Sequence, residues 1–492
     1  LLRNVTGGTY LMKIRILVLT TLLIASLVSQ AAAYKGVDLN WIGGGVRARA
    51  MGGAFTAIAD DASAVTWNPA GLIQLLDPQV SFSGAFVKPR VSTALTYPTL
   101  DGGEFAVSDN IWRVNYASFL APLKLKGHQF SLSIAYRRLN EIAFADMFNP
   151  YLPEWLAITE LTWDSLAVSN LHVERTGGLD VVNLGFGTYV WDDLSIGSSA
   201  NLYLGSSDFT ETVEARWSRD VGVQRPDVRK RLFRAESLGQ SDFFGFDLTF
   251  GAMYKISDLR LGLVVRTPFQ LKESWEVIQN DTTWETKTDV YVIKELKADF
   301  YVVDQTTKLD IPLSVAIGAA YQVTPNLLIS ADVEWRRFGT SEYHYLDSSL
   351  IKSSGEKEEY FSSFPAAFRN GGEGRVGFEY TLQTSKGIIP LRGGFRYIRH
   401  YLNEIENSTA YYVRDNDDFF YILVPALYND RTTTAMAFSA GAGIHWDRIW
   451  LDAAIEHYTH KMTVAGFDAI DYFGGDRSEK QTSITVSFTG FF

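Results

Sequence analysis

Apolar and polar residues alternate along long stretches of this chain, and a period of two belongs to strands. Leu194, Ile196, Ser198, Ala200, Leu202 and Leu204 keep one phase. Leu327, Ile329, Ala331, Val333 and Trp335 face one way, with Ser330, Asp332, Glu334 and Arg336 opposite. Ile484, Val486, Phe488, Gly490 and Phe492 repeat the pattern at the other end. About fourteen such segments centre near 79–88, 112–122, 128–140, 180–190, 194–212, 242–256, 259–274, 311–323, 327–344, 373–382, 389–401, 432–446, 448–463 and 481–492. The connections after even-numbered segments are short, as in Trp191-Asp192-Asp193, Ser257-Asp258 and Thr324-Pro325-Asn326. Those after odd-numbered segments are long, roughly 16 to 40 residues. Short turns on one side and long loops on the other predict an all-β fold, a closed antiparallel transmembrane β-barrel in the outer membrane with both termini periplasmic. An even strand count lets the two ends of the sheet meet, and lipid demands closure because it cannot satisfy an open backbone edge.

The N-terminus agrees with export. Met12-Lys13-Ile14-Arg15 is a basic start, Ile16 to Val28 is apolar, and Ala31-Ala32-Ala33 supplies small residues for cleavage. Such a run is too short to cross a membrane and reads as a secretory signal peptide. The chain is therefore divided into 1–33 (upstream extension and signal peptide), 34–77 (a plug) and 78–492 (the barrel). Without residues 1–33, 42 basic residues face 56 acidic ones, which excludes nucleic acid as a partner. There are no cysteines, so thiol catalysis and cysteine metal sites are excluded. Aromatic residues make up 14% of the chain, enough for girdles at both membrane interfaces. The terminal Phe492, closing an alternating strand, resembles the signal that the outer-membrane barrel assembly machinery reads.

Between the cleavage site and the first strand lies a Gly/Ala-rich stretch containing Gly43-Gly44-Gly45 and Gly52-Gly53. No Lys-Ser/Thr follows the glycines, so they are no phosphate loop. A lumen of fourteen strands is wider than wall side chains fill, and small residues suit a compact plug inside it. Asp60-Asp61-Ala62 followed by Asn68-Pro69-Ala70 resembles the N-terminal hatch of the FadL-type outer-membrane transporters of long-chain fatty acids, which include TodX-like hydrocarbon channels. Phe246-Asp247-Leu248-Thr249-Phe250 through Arg266-Thr267-Pro268-Phe269 is similar to that family's mid-barrel hairpin. Leu309-Asp310-Ile311-Pro312-Leu313 to Trp335-Arg336-Arg337-Phe338 is similar to the following one. The resemblance implies passive uptake of a fatty acid or hydrocarbon through a plugged barrel. Outer-membrane lipid and lipopolysaccharide would surround it, and no cofactor is implied. The hatch motif is shared with PorV-like barrels of a protein-secretion system, which leaves a protein-binding role as the alternative.

Inward phases of the later strands carry Asp332, Glu334, Arg336, Arg375, Glu379, Arg392, Arg396, Asp452 and Glu456. Most are expected to form a paired ladder between wall and plug. Arg266, Arg392 and Arg396 are the candidates to grip a fatty carboxylate, for which forked guanidinium donors are suited. His457 and His460 fall on opposite faces of a strand, and Asp415, Asp417 and Asp418 lack the spacing of a calcium loop, so no metal site is expected. No HExxH or GxSxG occurs and no catalytic constellation stands out, so no enzyme is expected. Phe148 to Leu156 and Phe419 to Val424 are apolar loop stretches of the kind that mark binding surfaces.

Overall fold

The computed structural model describes residues 39–96, 104–107, 110–148, 165–218, 230–286, 294–351, 357–366, 368–407, 410–415, 418–423, 427–467 and 472–492. The expected signal peptide and the first aromatic loop stretch beyond Phe148 lie outside them. Fourteen strands form the wall: β1 (Gln79–Thr96), β2 (Ile111–Leu125), β3 (His128–Phe148), β4 (Ser165–Trp191), β5 (Leu194–Ser218), β6 (Lys230–Ile256), β7 (Leu259–Arg266), β8 (Ser314–Thr324), β9 (Leu327–Arg336), β10 (Gly371–Thr384), β11 (Gly387–Asn407), β12 (Leu427–Trp446), β13 (Ile449–Phe467) and β14 (Tyr472–Phe491). Each pairs antiparallel with its neighbours, and β1 closes on β14 from Gln79↔Phe491 to Thr96↔Gly474. The sheet therefore has no edge around the barrel.

The two phases of each strand have separate fates. Leu132, Ile134, Leu184, Phe186, Leu263, Ile317, Val333, Phe438 and Val486 are exposed on the outside. Ser133, Asn183, Asn201, Asp247, Asp332 and Glu456 are buried inside. An apolar exterior around a polar interior is the arrangement of a membrane-spanning barrel. No described helix is long and apolar enough to cross a membrane. Short turns join the strands on one side; between β2 and β3, Lys126 and Gly127 take φ values of 50° and 87°. Positive φ at both central residues matches the twist of a tight hairpin.

Two segments are interrupted where the sequence pattern ran on. The one read as 259–274 splits after Arg266, and the one read as 327–344 splits after Arg336. Pro268 and Pro312 lack the amide a ladder needs, and they flank a step in the wall between Arg266↔Ser314 and Phe269↔Ile311. Thr267 patches the step: its amide donates to the Leu248 carbonyl at 2.9 Å, and its hydroxyl accepts from the Leu248 amide at 3.0 Å. Beyond it, strand Phe269–Thr286 pairs back on the upper part of β6 and with strand Lys294–Ile311. Lys294–Ile311 in turn meets strand Glu342–Ile351 at three rungs, Thr307↔Tyr345, Lys308↔His344 and Leu309↔Tyr343. These hairpins raise the wall on the long-loop side. The second aromatic stretch belongs to a separate hairpin, Ala410–Asp415 against Asp418–Leu423.

From Leu39 to Leu75 the chain packs inside the barrel. It forms α1 (Val46–Ala50), α2 (Ala64–Trp67) and a 3₁₀ turn, Pro69–Gln74. Gly45, Gly52 and Gly53 hold φ between +65° and +89°, reversing the chain on both sides of α1. Met51, Phe55, Ile58, Leu72 and Ile73 are fully buried.

Candidate functional site

Much of the hatch rests on glycines of the wall. A Cβ placed on Gly197 would stand 2.3 Å from the carbonyl carbon of Pro69, and one on Gly251 would stand 2.0 Å from Asn68 Oδ1. Gly262 approaches the Thr56 carbonyl, Gly377 the Met51 carbonyl and Gly394 the Gly52 amide in the same way. These glycines sit on inward phases of β5, β6, β7, β10 and β11, so the plug is ringed by places where only hydrogen fits. Asn68 is the polar peg of the seat. Its Oδ1 accepts from the Ala70 amide at 3.1 Å, capping the turn that Pro69 begins. Its Nδ2 donates to the Thr56 carbonyl at 2.8 Å and to the wall carbonyl of Ala252 at 3.2 Å. Pro69 and Ala70 lie against Gly187 and Gly197, close to the short turn at Asp192-Asp193.

Charge ties the other half of the hatch to the wall. Arg47 pairs with Asp60 at 2.5 Å and Glu379 at 2.7 Å, and Asp60 also meets Arg260 at 3.0 Å. Asp332 accepts from the amides of Phe55 and Thr56, both at 2.8 Å. Asp61 turns inward on its own segment, taking the Ser63 amide at 2.8 Å; burial nonetheless pushes its carboxyl above the usual range. The wall carries the expected ladder. Arg392 bridges Glu379 at 2.6 Å and Asp452 at 2.5 Å, Arg396 meets Glu456 at 3.3 Å, and Arg336 meets Glu334 at 2.7 Å. Arg375 completes it between Glu334 and Glu373.

On the long-loop side of the plug the lumen becomes apolar. Leu39 and Trp41 of the hatch segment cluster with inward-facing Ile142, Leu179, Val181, Tyr203, Phe243, Leu271, Phe338 and Tyr401. Trp41 packs on Tyr203 (centroids 5.2 Å apart) and Phe269 (6.0 Å), and Tyr203 stacks on Phe269 at 4.6 Å. Two cations border this region without a carboxylate partner among the described residues. Arg137 donates only to the Ile42 carbonyl, at 2.8 Å. Arg49, 8% exposed, has an unbonded Nε, and burial pulls its pKa down to about 10. Arg266 stands 3.6 Å from Asp247, with its Nε unbonded.

Of the residues singled out from sequence, Asp60, Asn68, Pro69 and Ala70 meet at the wall contacts just described, whereas Asp61 bonds within the hatch. Arg392 and Arg396 are held by carboxylates, and Arg266 shares the Asp247 carboxylate with the Tyr203 hydroxyl. His457 is exposed and His460 buried, on opposite faces as expected. Arg137, Arg49 and Trp41 were not singled out. Arg137 shares its phase with Ser133 and Ala135 on β3, so an isolated arginine on a small-residue face was the available signal.

The complete arrangement has precedents among solved structures. A FadL homologue from Pseudomonas aeruginosa superposes with a TM-score of 0.55 at 15% identity, over 92% of this chain and 99% of that one. The Pseudomonas putida toluene transporter TodX superposes with a TM-score of 0.52 at 14% identity, over 92% and 99%. A deltaS2 mutant of the TodX monoaromatic hydrocarbon channel gives 0.51 at 15%, over 92% and 100%. A family model described as BamG matches residues 149–364. No curated protein matches the sequence. The chain thus shares its fold, a plugged and closed β-barrel, with FadL and TodX.

Proposed function

We propose that this barrel is an outer-membrane channel for passive uptake of hydrophobic molecules, with long-chain fatty acids as its cargo. The observation that carries the reading is the apolar and aromatic cluster around Trp41, inside the wall on the long-loop side of the plug. A water-filled pore has no use for such an apolar cluster in its lumen. Each methylene of an acyl chain buried against it contributes about 0.8 kcal/mol before the costs of binding. The FadL and TodX fold supports the same reading. Arg137 and Arg266 border the cluster, and their guanidinium groups suit a carboxylate head group, for Arg266 in place of its contact with Asp247. A substrate role for Arg392 or Arg396 requires their present ion pairs to open.

The test compares purified protein binding oleate and an alkane of equal length. Both bind if the cluster captures cargo. Arg137→Met then weakens oleate by roughly tenfold, the worth of a charge-assisted hydrogen bond, and leaves the alkane unchanged. If neither ligand binds and a protein copurifies in fixed ratio, the role is that of a binding partner, as in PorV-like barrels.

A further inference from the structure

We propose that Asp310, Glu342 and His344 form a binding site for a divalent transition-metal cation of the zinc class, on the raised rim of the barrel. The three side chains come from two hairpins joined by only three rungs. One ligand atom from each lies within 4.8 Å of the others. His344 Nε2 and Asp310 Oδ2 are 3.1 Å apart. Two ligands about 2.0–2.2 Å from a tetrahedral metal are separated by roughly 3.3 Å, so this pair already has the spacing of a coordination edge.

The partners behind the ligands favour a metal over a simple ion pair. His344 Nδ1 lies 2.7 Å from Ser363 Oγ, and Gln270 Nε2 donates to Asp310 Oδ1 at 2.9 Å. With Nδ1 donating to serine, Nε2 carries the lone pair a metal takes, and the other Asp310 oxygen is fixed in direction. Metal-bound imidazoles and carboxylates are held in this way. Glu342 is exposed, free to swing the short distance that closes the third bond, and water fills the fourth position. Two carboxylates converging on one imidazole repel each other without a cation between them. Lys308, opposite His344 in the ladder, rests its ammonium 3.7 Å over the Phe361 ring. A nitrogen ligand selects zinc, cobalt or nickel over calcium and magnesium, which take oxygen. The bound ion clips strand Lys294–Ile311 to strand Glu342–Ile351.

The experiment uses the full chain in detergent, without an affinity tag and stripped of metal, titrated with Zn²⁺ by calorimetry and with Co²⁺ by visible absorption. One saturable site per barrel with tetrahedral Co²⁺ bands is expected. Glu342→Gln, on an exposed side chain, and Ser363→Ala weaken it by roughly tenfold or more, and His344→Ala abolishes it. His457→Ala keeps it, and Ca²⁺ does not compete. Heat-modified gel migration verifies that each variant is folded. Binding that is absent, or equal in wild type, Glu342→Gln and His344→Ala, overturns the proposal.

Discussion

Replacing Gly197 by alanine tests whether the hatch is seated on bare backbone. The new Cβ would stand 2.3 Å from the Pro69 carbonyl carbon, 2.4 Å from its oxygen and 2.5 Å from the Ala70 amide. Ordinary contact begins at 3.4 Å, so something must move by roughly 1 Å, an overpacking of the kind that costs about 1–3 kcal/mol. All three clashing atoms are backbone, and no rotamer change relieves them. The wall strand is paired on both sides, with Gly197 opposite Gly187 in one neighbour and Gly251 in the other, so the 3₁₀ turn is the part that yields. An energy of that size raises the population of a displaced hatch by roughly 5- to 150-fold. The chain has no cysteine, so one reporter thiol is unambiguous. Val65→Cys places it at a buried hatch position without adding volume. The maleimide labelling rate of V65C is expected to rise at least fivefold when G197A is added, with barrel migration on gels unchanged. Gly374→Ala is the internal control, because nothing lies within 4 Å of its Cβ position. Equal rates in the G197A and G374A backgrounds would refute the seat as a restraint on the hatch.

Asn68→Ala removes the hydrogen bonds to the Thr56 and Ala252 carbonyls; it is expected to alter uptake in intact cells at normal protein levels while thermal unfolding of the barrel changes little. Arg392→Ala leaves Glu379 and Asp452 buried with one fewer cation and is expected to cost about 3–5 kcal/mol, read as a lower unfolding temperature or failed assembly; the paired change Arg392→Met with Glu379→Gln recovers part of it. Trp41→Ala cuts into the aromatic stack with Tyr203 and Phe269 and is expected to weaken oleate and alkane alike, by about tenfold, in the same binding assay used for Arg137→Met.

The wall was legible because strand period, turn spacing and lipid all act on the same residues. Ile484, Val486 and Phe488 face outward because an apolar side chain has nowhere better to go, and their neighbours then face the lumen. Thr267-Pro268 was harder to place. Its alternation continues into Phe269–Thr286, and only the missing proline amides reveal that the strand leaves its partner there. The hatch pegs Asn68 and Pro69 were legible as a local turn, but the Ala252 carbonyl that holds Asn68 is 184 residues away. Glycine carries the least information of all: Gly197, Gly251 and Gly394 look like weak strand positions in sequence, and their meaning lies entirely in what faces them. The rim site was illegible for a related reason. Asp310 and His344 are 34 residues apart, and a path over two hairpins has no fixed spacing to recognise.

The two halves of the hatch share the glycine seat, through Thr56, Met51 and Gly52 in one and Pro69 in the other, but differ in charge. Residues Gly45 to Asp60 are fastened by charge: Arg47 to Glu379, Asp60 to Arg260, and the amides of Phe55 and Thr56 to Asp332. Removing Arg47 leaves Glu379 and Asp60 with one fewer cation, so this half is costly to shift. Residues Ala64 to Gln74 contain no ionisable side chain at all. They are kept in place by close packing on Gly185, Gly187, Gly197 and Gly251, by the Asn68 peg, and by Gln74 bonding back to the Ile58 carbonyl at 3.0 Å. Dispersion contacts of this kind are many but individually weak, and sliding a backbone off a glycine exposes no charge. A plug built this way keeps one half as a fixed sill and leaves the half beside the short turns able to part from the wall at a cost that packing alone sets. Under the proposed uptake function, a hydrophobic cargo passes by parting this half from the wall, and no ion pair has to break.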